Sequence, residues 1–542
     1  MVQVSGRRRR ALGALVMAIS LMLLAGCGSA GPPAAGAGGR SAVEAVNPFG
    51  GDPAAEGTPK AGGSLRVGMD RDIASFDPTV QNANPAAFAV YDSLMKLTSD
   101  GGAEPYLAQS MDTSDGGLTW RMTLRPGVTF SDGTPLDANA VILNVQRHID
   151  KPTSPARLTA QRIASMRAVD PLTVEFTLDS PLGSFPVVFA QPTFTGTLGM
   201  IISPAALQQY GDDIGRHPVG AGPFTLAEWV PGSHVTLERN GSYWQQGKPY
   251  LDELEFRPLS DTESRYASVQ NGDVDVILAA YNTELVRALQ EPNLNVYYGP
   301  GDSGELLYFN FNRAPFTDRR MREAVIRALD LRGLSASLYN NQLVTAQSLF
   351  GADSPYHTDA ATQAWPAFDL ERAKQLVDEY RAEGGSTSIT LKSTTARGQF
   401  GEFVQAQLAA VGITVDVQLY DLAQYSAQVV QSGDFDLTTT VSSFDSPYPA
   451  TERLFGSRGS ANYGKYSNPQ VDALLAEAAG TADEDARAKA YQQLELLVNQ
   501  ELAVCWLSRA YLATVTRTDV KGVNRYLSRD MFYASLWLDR SR

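Results

Sequence analysis

The sequence predicts an α/β protein divided into two or three lobes, and three observations carry that prediction. At 542 residues the chain exceeds what one hydrophobic core ordinarily organises. Hydrophobic residues make up 43% of it and charged residues 19%, the balance of a globular chain. In the second half, period-2 and period-3.6 apolar patterns alternate as strand, helix and strand, the order of an α/β lobe.

The chain opens with Arg7–Arg10, then a short apolar stretch, Ala11–Ala25, interrupted by Gly13 and Ser20. Leu24-Ala25-Gly26-Cys27 closes it with small residues, so residues 1–27 read as a secretory signal, too short for a comfortable membrane span. Residues 28–62 are rich in Gly, Ala and Pro without sustained periodicity and are predicted to be a flexible tether. Gly63-Ser64-Leu65-Arg66-Val67-Gly68 alternates as the first strand of the folded part.

Thr119–Leu124 mixes β-branched, aromatic and aliphatic residues as a half-buried strand does. Arg125-Pro126-Gly127 then turns the chain, and Val128-Thr129-Phe130 is predicted to return as the second strand of a hairpin. After a second turn, Ser131-Asp132-Gly133, Asp137 can cap a helix carrying Val141, Val145 and Ile149 on one face. Leu172–Leu178 alternates as a strand, Leu251–Phe256 reads as another, and Arg265–Asn271 reads as a helix. Asp273 and Asp275 then read as solvated charges at the start of a further strand.

From Leu307–Asn312, a strand, the helices lengthen. Thr317 is placed to cap a helix with Met321, Ala324, Val325, Ala328 and Leu329 on one face. Asp369 caps the next, with Ala373, Leu376, Val377 and Tyr380. A third, through Phe403, Val404, Leu408 and Val411, stops at Gly412, and Ile413–Leu419 alternates as a strand. Pro469 opens another helix, Tyr491, Leu494 and Val498 mark the last long one, and strands return from about Tyr511.

A net charge of −14 argues against nucleic acid and against an electrostatic grip on anionic lipid. The two cysteines, Cys27 and Cys505, form no CxxC, and Cys505 between Val504 and Trp506 reads as a small buried hydrophobe. Only four histidines exist, none close enough to another for a local metal pair, and HExxH and GxSxG are missing. The segment Gly459–Tyr466 begins like a phosphate loop, but Tyr466 stands where Ser or Thr would hold Mg²⁺. No catalytic set, metal site or cofactor is predicted. The residues describe a binder.

Several strings, in order along the chain, sharpen that reading. DGGLTW and LRPGVTFSDGTPL within Asp115–Leu136, Pro218–Phe224, Asn240–Trp244, Gly272–Val276 and Asn462–Asp472 resemble extracytoplasmic solute-binding proteins of the peptide/nickel class. That class, which includes oligopeptide- and dipeptide-binding members, delivers ligands to ABC importers. The resemblance implies a three-lobed type II periplasmic-binding-protein-like clamshell with an extra inserted domain. Its expected lobe I is discontinuous (63–90, 218–299 and 511–542), lobe II is 91–217 and lobe III is 300–510. The LAGC string resembles a bacterial lipoprotein box, which implies a lipid on Cys27; Arg8–Leu12 also loosely fits a twin-arginine signal, leaving the export route open.

The resemblance further implies a monomer on the outer face of the cell membrane, whose partners are a peptide or other small solute and ABC permease subunits. Asp445, within Ser443–Pro449, aligns with a family segment whose Asp pairs with a ligand α-ammonium, although the family Trp is missing and Tyr448 replaces a second Asp. Asp445 otherwise reads as a loop residue in an Asx-turn. Arg397 lies where relatives bind a ligand carboxylate, with a solvated Arg as the alternative. Phe444 and Tyr448 read as residues stacking on the ligand or as wall residues. A non-peptide solute, and a sensor or chaperone role, remain open.

Overall fold

The computed structural model describes residues 47–542 apart from 81–83, 192–197, 280–281, 300, 340, 342, 422–423, 511, 529 and 541–542. The signal, Cys27 and the first part of the expected tether lie outside the described residues.

Three sheets organise the chain. The largest has seven strands: Leu294–Tyr297, Ala513–Arg517, Val276–Ala279, Ser64–Met69, Glu253–Pro258, His234–Arg239 and Phe224–Val230, in that spatial order. It therefore draws on the beginning, middle and end of the chain. Its centre is parallel, with Ser64–Met69 in register from Ser64 opposite Glu253 to Met69 opposite Pro258. Leu65 and Val67 point into the core without exposure, which explains their alternation.

A four-stranded antiparallel sheet (Ala108–Thr113, Thr119–Leu124, Thr173–Leu178, Ile163–Asp170) packs Trp120, Val174 and Phe176 against Phe185 and Phe189. Its core is continuous with one face of the seven-stranded sheet. The five-stranded sheet (Thr414–Tyr420, Ser388–Thr394, Leu437–Phe444, Asp302–Phe309, Cys505–Ser508) has a core of its own, closed by the helices Arg319–Ala328, Leu370–Ala382, Gly398–Ala409 and Glu484–Glu501. Two bodies result. The chain passes between them twice, from Tyr297 to Asp302 and from Ser508 to Ala513.

Most elements follow their local signals: Asp137 accepts from Ala140 N, Asp369 from Arg372 N, and Gly412 turns with φ 87. Four do not. Val128–Phe130 is no returning strand; Phe130 N donates to Thr134 O (2.8 Å) and Leu136 N to Val128 O (3.0 Å), so this stretch folds on itself. Thr119–Leu124 pairs instead with Ala108–Thr113 and Thr173–Leu178. The cap of helix Arg319–Ala328 is Asp318, which accepts from Arg320 N; Thr317 lies one residue too early.

Asp275 is fully buried rather than solvated, because Arg66 on the adjacent strand reaches it through N and Nε (2.9 and 3.1 Å) and Arg540 through Nη2. Burial pushes its carboxyl up, but these arginines outweigh that and hold it below the ordinary value. Residues 47–62 run along the body instead of hanging free. Gly51 N donates to Val523 O, Gly522 N to Glu56, and Gly62 N to Tyr250 O. Gly50, at φ 131, permits this, since a Cβ there would lie 2.0 Å from Val523 O.

Asp92 sits where the sheets share their core, 4% exposed, taking hydrogen bonds from Tyr243 Oη and Trp244 Nε1, both 2.7 Å. Burial outweighs these donors and pushes its carboxyl up to about 7. The folded state thus binds a proton that the unfolded chain, titrating near 4, gives up. The resulting stabilisation is complete below about pH 4 and is lost as pH rises through about 7. Thermal melts between pH 5 and 8 should therefore fall with pH in the native chain and fall less steeply in Asp92→Asn; equal slopes would place the titrating group elsewhere.

Candidate functional site

Strand Leu437–Phe444 runs antiparallel to Asp302–Phe309, with Phe444 opposite Asp302. It ends at Asp445-Ser446, and Pro447 opens helix Pro447–Phe455, where its missing N–H leaves nothing unsatisfied. This strand-to-helix junction places Asp445 and Asp302 side by side at one end of the five-stranded sheet. The other body closes on the same point. Ser528 N donates to both Asp445 oxygens (3.1 and 3.2 Å), and Gly101, at φ 81, brings its turn so near that a Cβ would lie 2.8 Å from Asp445 O.

A cleft of about 680 Å³ opens here, walled by Pro48, Phe49, Ser99, Asp100 and Leu527 on one side and by Asp302, 344–357, Phe444, Asp445 and Arg509 on the other. A neighbouring cavity of about 310 Å³ shares Phe49, Ser99, Asp445 and Leu527 with it.

The charges in these walls are unevenly committed. Arg509 spends its guanidinium on the carbonyls of Ser303, Leu349 and Phe350 and on Ser348 Oγ. Arg525 binds the carbonyls of Pro48, Tyr297, Leu512 and Leu527. Lys96 pairs with Glu104 (3.3 Å) and lies over the Phe532 ring. The carboxylates are freer. Asp445 is half-buried and has no ion pair among the described residues; burial pushes its carboxyl up, against the Ser528 hydrogen bonds.

Asp302 is likewise pushed up, to about 6, by burial, with Gly351 N (2.9 Å) pulling it down. At the floor, buried Glu495 accepts from Phe350 N and Thr358 N and meets His357 Nδ1 at 3.1 Å. Asp100, at the mouth, is held low by the Thr98 hydroxyl.

The four expected contact residues are not brought together. Asp445 and Phe444 line the cleft, and Asp445 is bonded to a residue far along the chain rather than in an Asx-turn. Phe444 is 2% exposed and meets the Phe350 ring edge-on at 6.3 Å, a wall residue. Arg397, in the short turn Thr395–Arg397, pairs with Glu305 and is not among the lining residues. Tyr448 is buried and turned away; its hydroxyl accepts from Arg162 Nη1 (3.4 Å) and its carbonyl from Gln191 Nε2 (3.1 Å). Cys27 lies outside the described residues, while Cys505 is buried and free.

Sequence reasoning missed Asp302, Asp100, Arg509 and the His357–Glu495 pair. Asp302 had a signal, as a carboxylate between glycines at a strand entrance; the others are joined only by the fold.

The cleft between two α/β bodies crossed twice by the chain defines a solute-binding clamshell. Residues 102–462, more than half of the chain, match the family model described as "Bacterial extracellular solute-binding proteins, family 5 Middle", and the chain belongs to that family. The glutathione-binding protein GsiB of Salmonella paratyphi A is 30% identical over 452 residues, covering 80% of this chain and 86% of that protein. The periplasmic binding protein DppA of Helicobacter pylori, solved with the peptide STSA, superposes with TM-score 0.77 at 22% identity, over 89% of this chain and 99% of that one.

NikA of Brucella suis, solved with Fe(III)-EDTA, superposes with TM-score 0.75 at 23% identity, over 88% of this chain and 100% of that one. The fold is the three-lobed, type II periplasmic-binding-protein-like clamshell with an extra inserted domain. The protein is a substrate-binding protein of the family 5 ABC-importer class, a family that works outside the cytoplasm. Among the described residues no helix is long and apolar enough to cross a membrane.

Arg397→Ala should lower the urea-unfolding free energy by about 1–3 kcal/mol, by stranding the buried Glu305 carboxylate. Ligand affinity, measured by titration calorimetry, should stay within about twofold, well under the tenfold that 1.4 kcal/mol represents. A larger loss of affinity would return Arg397 to the binding site.

Proposed function

We propose that the protein is the monomeric, lipid-anchored receptor of an ABC importer, and that it takes a short peptide into the Asp445 cleft for delivery to membrane permease subunits. In this reading the lipid is carried on Cys27. Lobe I (63–90, 218–299, 511–542) with lobe II (91–217) forms one jaw, and lobe III (300–510) the other. The observation that carries the peptide assignment is the charge commitment of the cleft: its arginines are bound to backbone carbonyls, while Asp445 has no salt bridge among the described residues and only the more distant charge of Arg525 opposes its burial. A half-buried carboxylate of that kind is completed by a ligand ammonium, through a strong charge-assisted hydrogen bond.

Glutathione, named for the Salmonella relative, and the peptide STSA, bound in the Helicobacter one, both carry such a group. The sequence of residues 1–27 supports export and lipidation.

Native mass spectrometry of the protein purified from its own host is the direct test. A series of short-peptide masses, released on mild unfolding, is the expected result; one discrete non-peptide mass would overturn the peptide assignment and leave the receptor. With the ligand in hand, Asp445→Asn should weaken binding by about 1.5–3 kcal/mol, or roughly 10- to 150-fold. Unchanged affinity would remove Asp445 from the site.

A further inference from the structure

A separate cavity of about 550 Å³ shares no lining residue with the Asp445 cleft. One wall is Leu158, Thr159 and Arg162, beside the four-stranded sheet. The other is built from helix Pro447–Phe455, the loop 456–460 and helix Pro469–Gly480 on the opposite body. Three guanidinium groups line it: Arg162, Arg453 and Arg458.

Arg162 is ion-paired with Asp179 and feels the charge of Glu452, whereas Arg453 and Arg458 have no ion pair among the described residues. Arg162 donates to Ser180 Oγ (2.9 Å) and Tyr448 Oη (3.4 Å), and its nearest carboxylate, Asp179, is 3.8 Å away. Arg453 is half-buried and makes one hydrogen bond among the described residues, from Nε to Ser460 Oγ at 3.2 Å. Burial lowers its pKa, and the neighbours that oppose this are Tyr463 and Tyr308 rather than any carboxylate. Arg458 is exposed and has no partner among the described residues. Of the two lining carboxylates, Asp472 is already bound to Ser457 N and Oγ (2.8 and 2.7 Å), and Glu452 faces Arg162, whose charge opposes the upward push of burial on its carboxyl. The guanidinium groups left without an ion pair among the described residues are Arg453 and Arg458.

The loop that presents these groups is built to stay there. Gly456 N donates to Glu452 O and Gly459 N to Gly456 O, wrapping the end of the helix. A Cβ on Gly459 would lie 2.3 Å from Arg453 O, so only glycine allows Ser460 to reach Arg453. This is where the segment resembling a phosphate loop begins.

A partly desolvated guanidinium without a carboxylate is costly unless an anion completes it. Its planar fork of donors matches carboxylate and phosphate oxygens. We propose that this cavity is a second binding site, for a small organic oxyanion gripped by Arg453 and Arg458 on one wall and Arg162 on the other. The volume exceeds that of a bare inorganic ion, hence an organic molecule bearing the head group. Because the walls come from different bodies, an occupant joins them and favours the closed arrangement.

Titration calorimetry of the full chain, with inorganic phosphate and in parallel with succinate at constant ionic strength, tests this. Saturable binding of either is expected, weakened roughly tenfold or more in Arg453→Gln and also weakened in Arg458→Gln. Arg458 is exposed, so its variant reports on binding where Arg453→Gln disturbs folding. Phosphate binding alone would assign a phosphate head group, and succinate binding alone a carboxylate. No saturable binding of either, or titrations identical in both variants, would overturn the site.

Discussion

The junction between the two bodies depends on one buried guanidinium. Arg525 is 1% exposed and donates to the carbonyls of Pro48, Tyr297, Leu512 and Leu527. Tyr297 and Leu512 belong to the two crossings between bodies, Pro48 to the first described residues, and Leu527 to the cleft wall. Segments from the start, the middle and the end of the described chain are therefore fixed to one another by a planar group with donors in fixed directions. A lysine, with one compact ammonium, could not span them. Arg509 repeats the device on the opposite side of the cleft, with the carbonyls of Ser303, Leu349 and Phe350.

That arrangement also sets the electrostatics of the cleft. Both arginines sit beside it, yet most of their donors are taken by backbone carbonyls, so they contribute architecture more than a docking point for a ligand carboxylate. What remains is acidic: Asp445, Asp302 and Asp100. Burial raises Asp445 and Asp302, which means that the folded protein keeps carboxylates where water alone would serve them better. Such desolvation is recovered when a cation arrives. Around Arg453 and Arg458 the commitment is reversed: both arginines lack an ion pair among the described residues, while the lining carboxylate Asp472 is bound to Ser457.

Much of the fold was legible in local signals, because helix caps and apolar periodicity act over a few residues. Asp137, Asp369 and Gly412 stand where their chemistry predicts. The failures share a cause. Val128–Phe130 has strand composition, but the edges of Thr119–Leu124 were already taken by strands before and after it, a competition that no window of sequence contains. Asp275 reads as a surface charge until Arg540, at the other end of the chain, is brought to it. Of the expected contact residues, Asp445 and Phe444 were placed in the cleft, through resemblance, and Arg397 and Tyr448 were not. Asp302, beside Asp445, lies opposite Phe444 by strand register, and register joins residues more than a hundred positions apart.

The two bodies also touch directly. Gly183 N donates to Gly480 O (3.2 Å), Ser184 N to Ala479 O (3.3 Å) and Gln191 Nε2 to Tyr448 O (3.1 Å), all between the body of the four-stranded sheet and that of the five-stranded sheet. A Cβ on Gly183 would lie 2.1 Å from Thr481 O, so the approach is as near as a backbone permits. These bonds lie among buried residues, Ser184, Gln191, Tyr448 and Ala479; each contributes a net of about 1 kcal/mol. A ligand moves the equilibrium only by its preference for the closed form. An occupant touching Asp445 and the Ser528 segment meets both bodies at once, and so has that preference by position. The buried contacts between the bodies and the Asp445–Ser528 contact across the cleft therefore act on the same junction, and an occupant of the cleft adds to both.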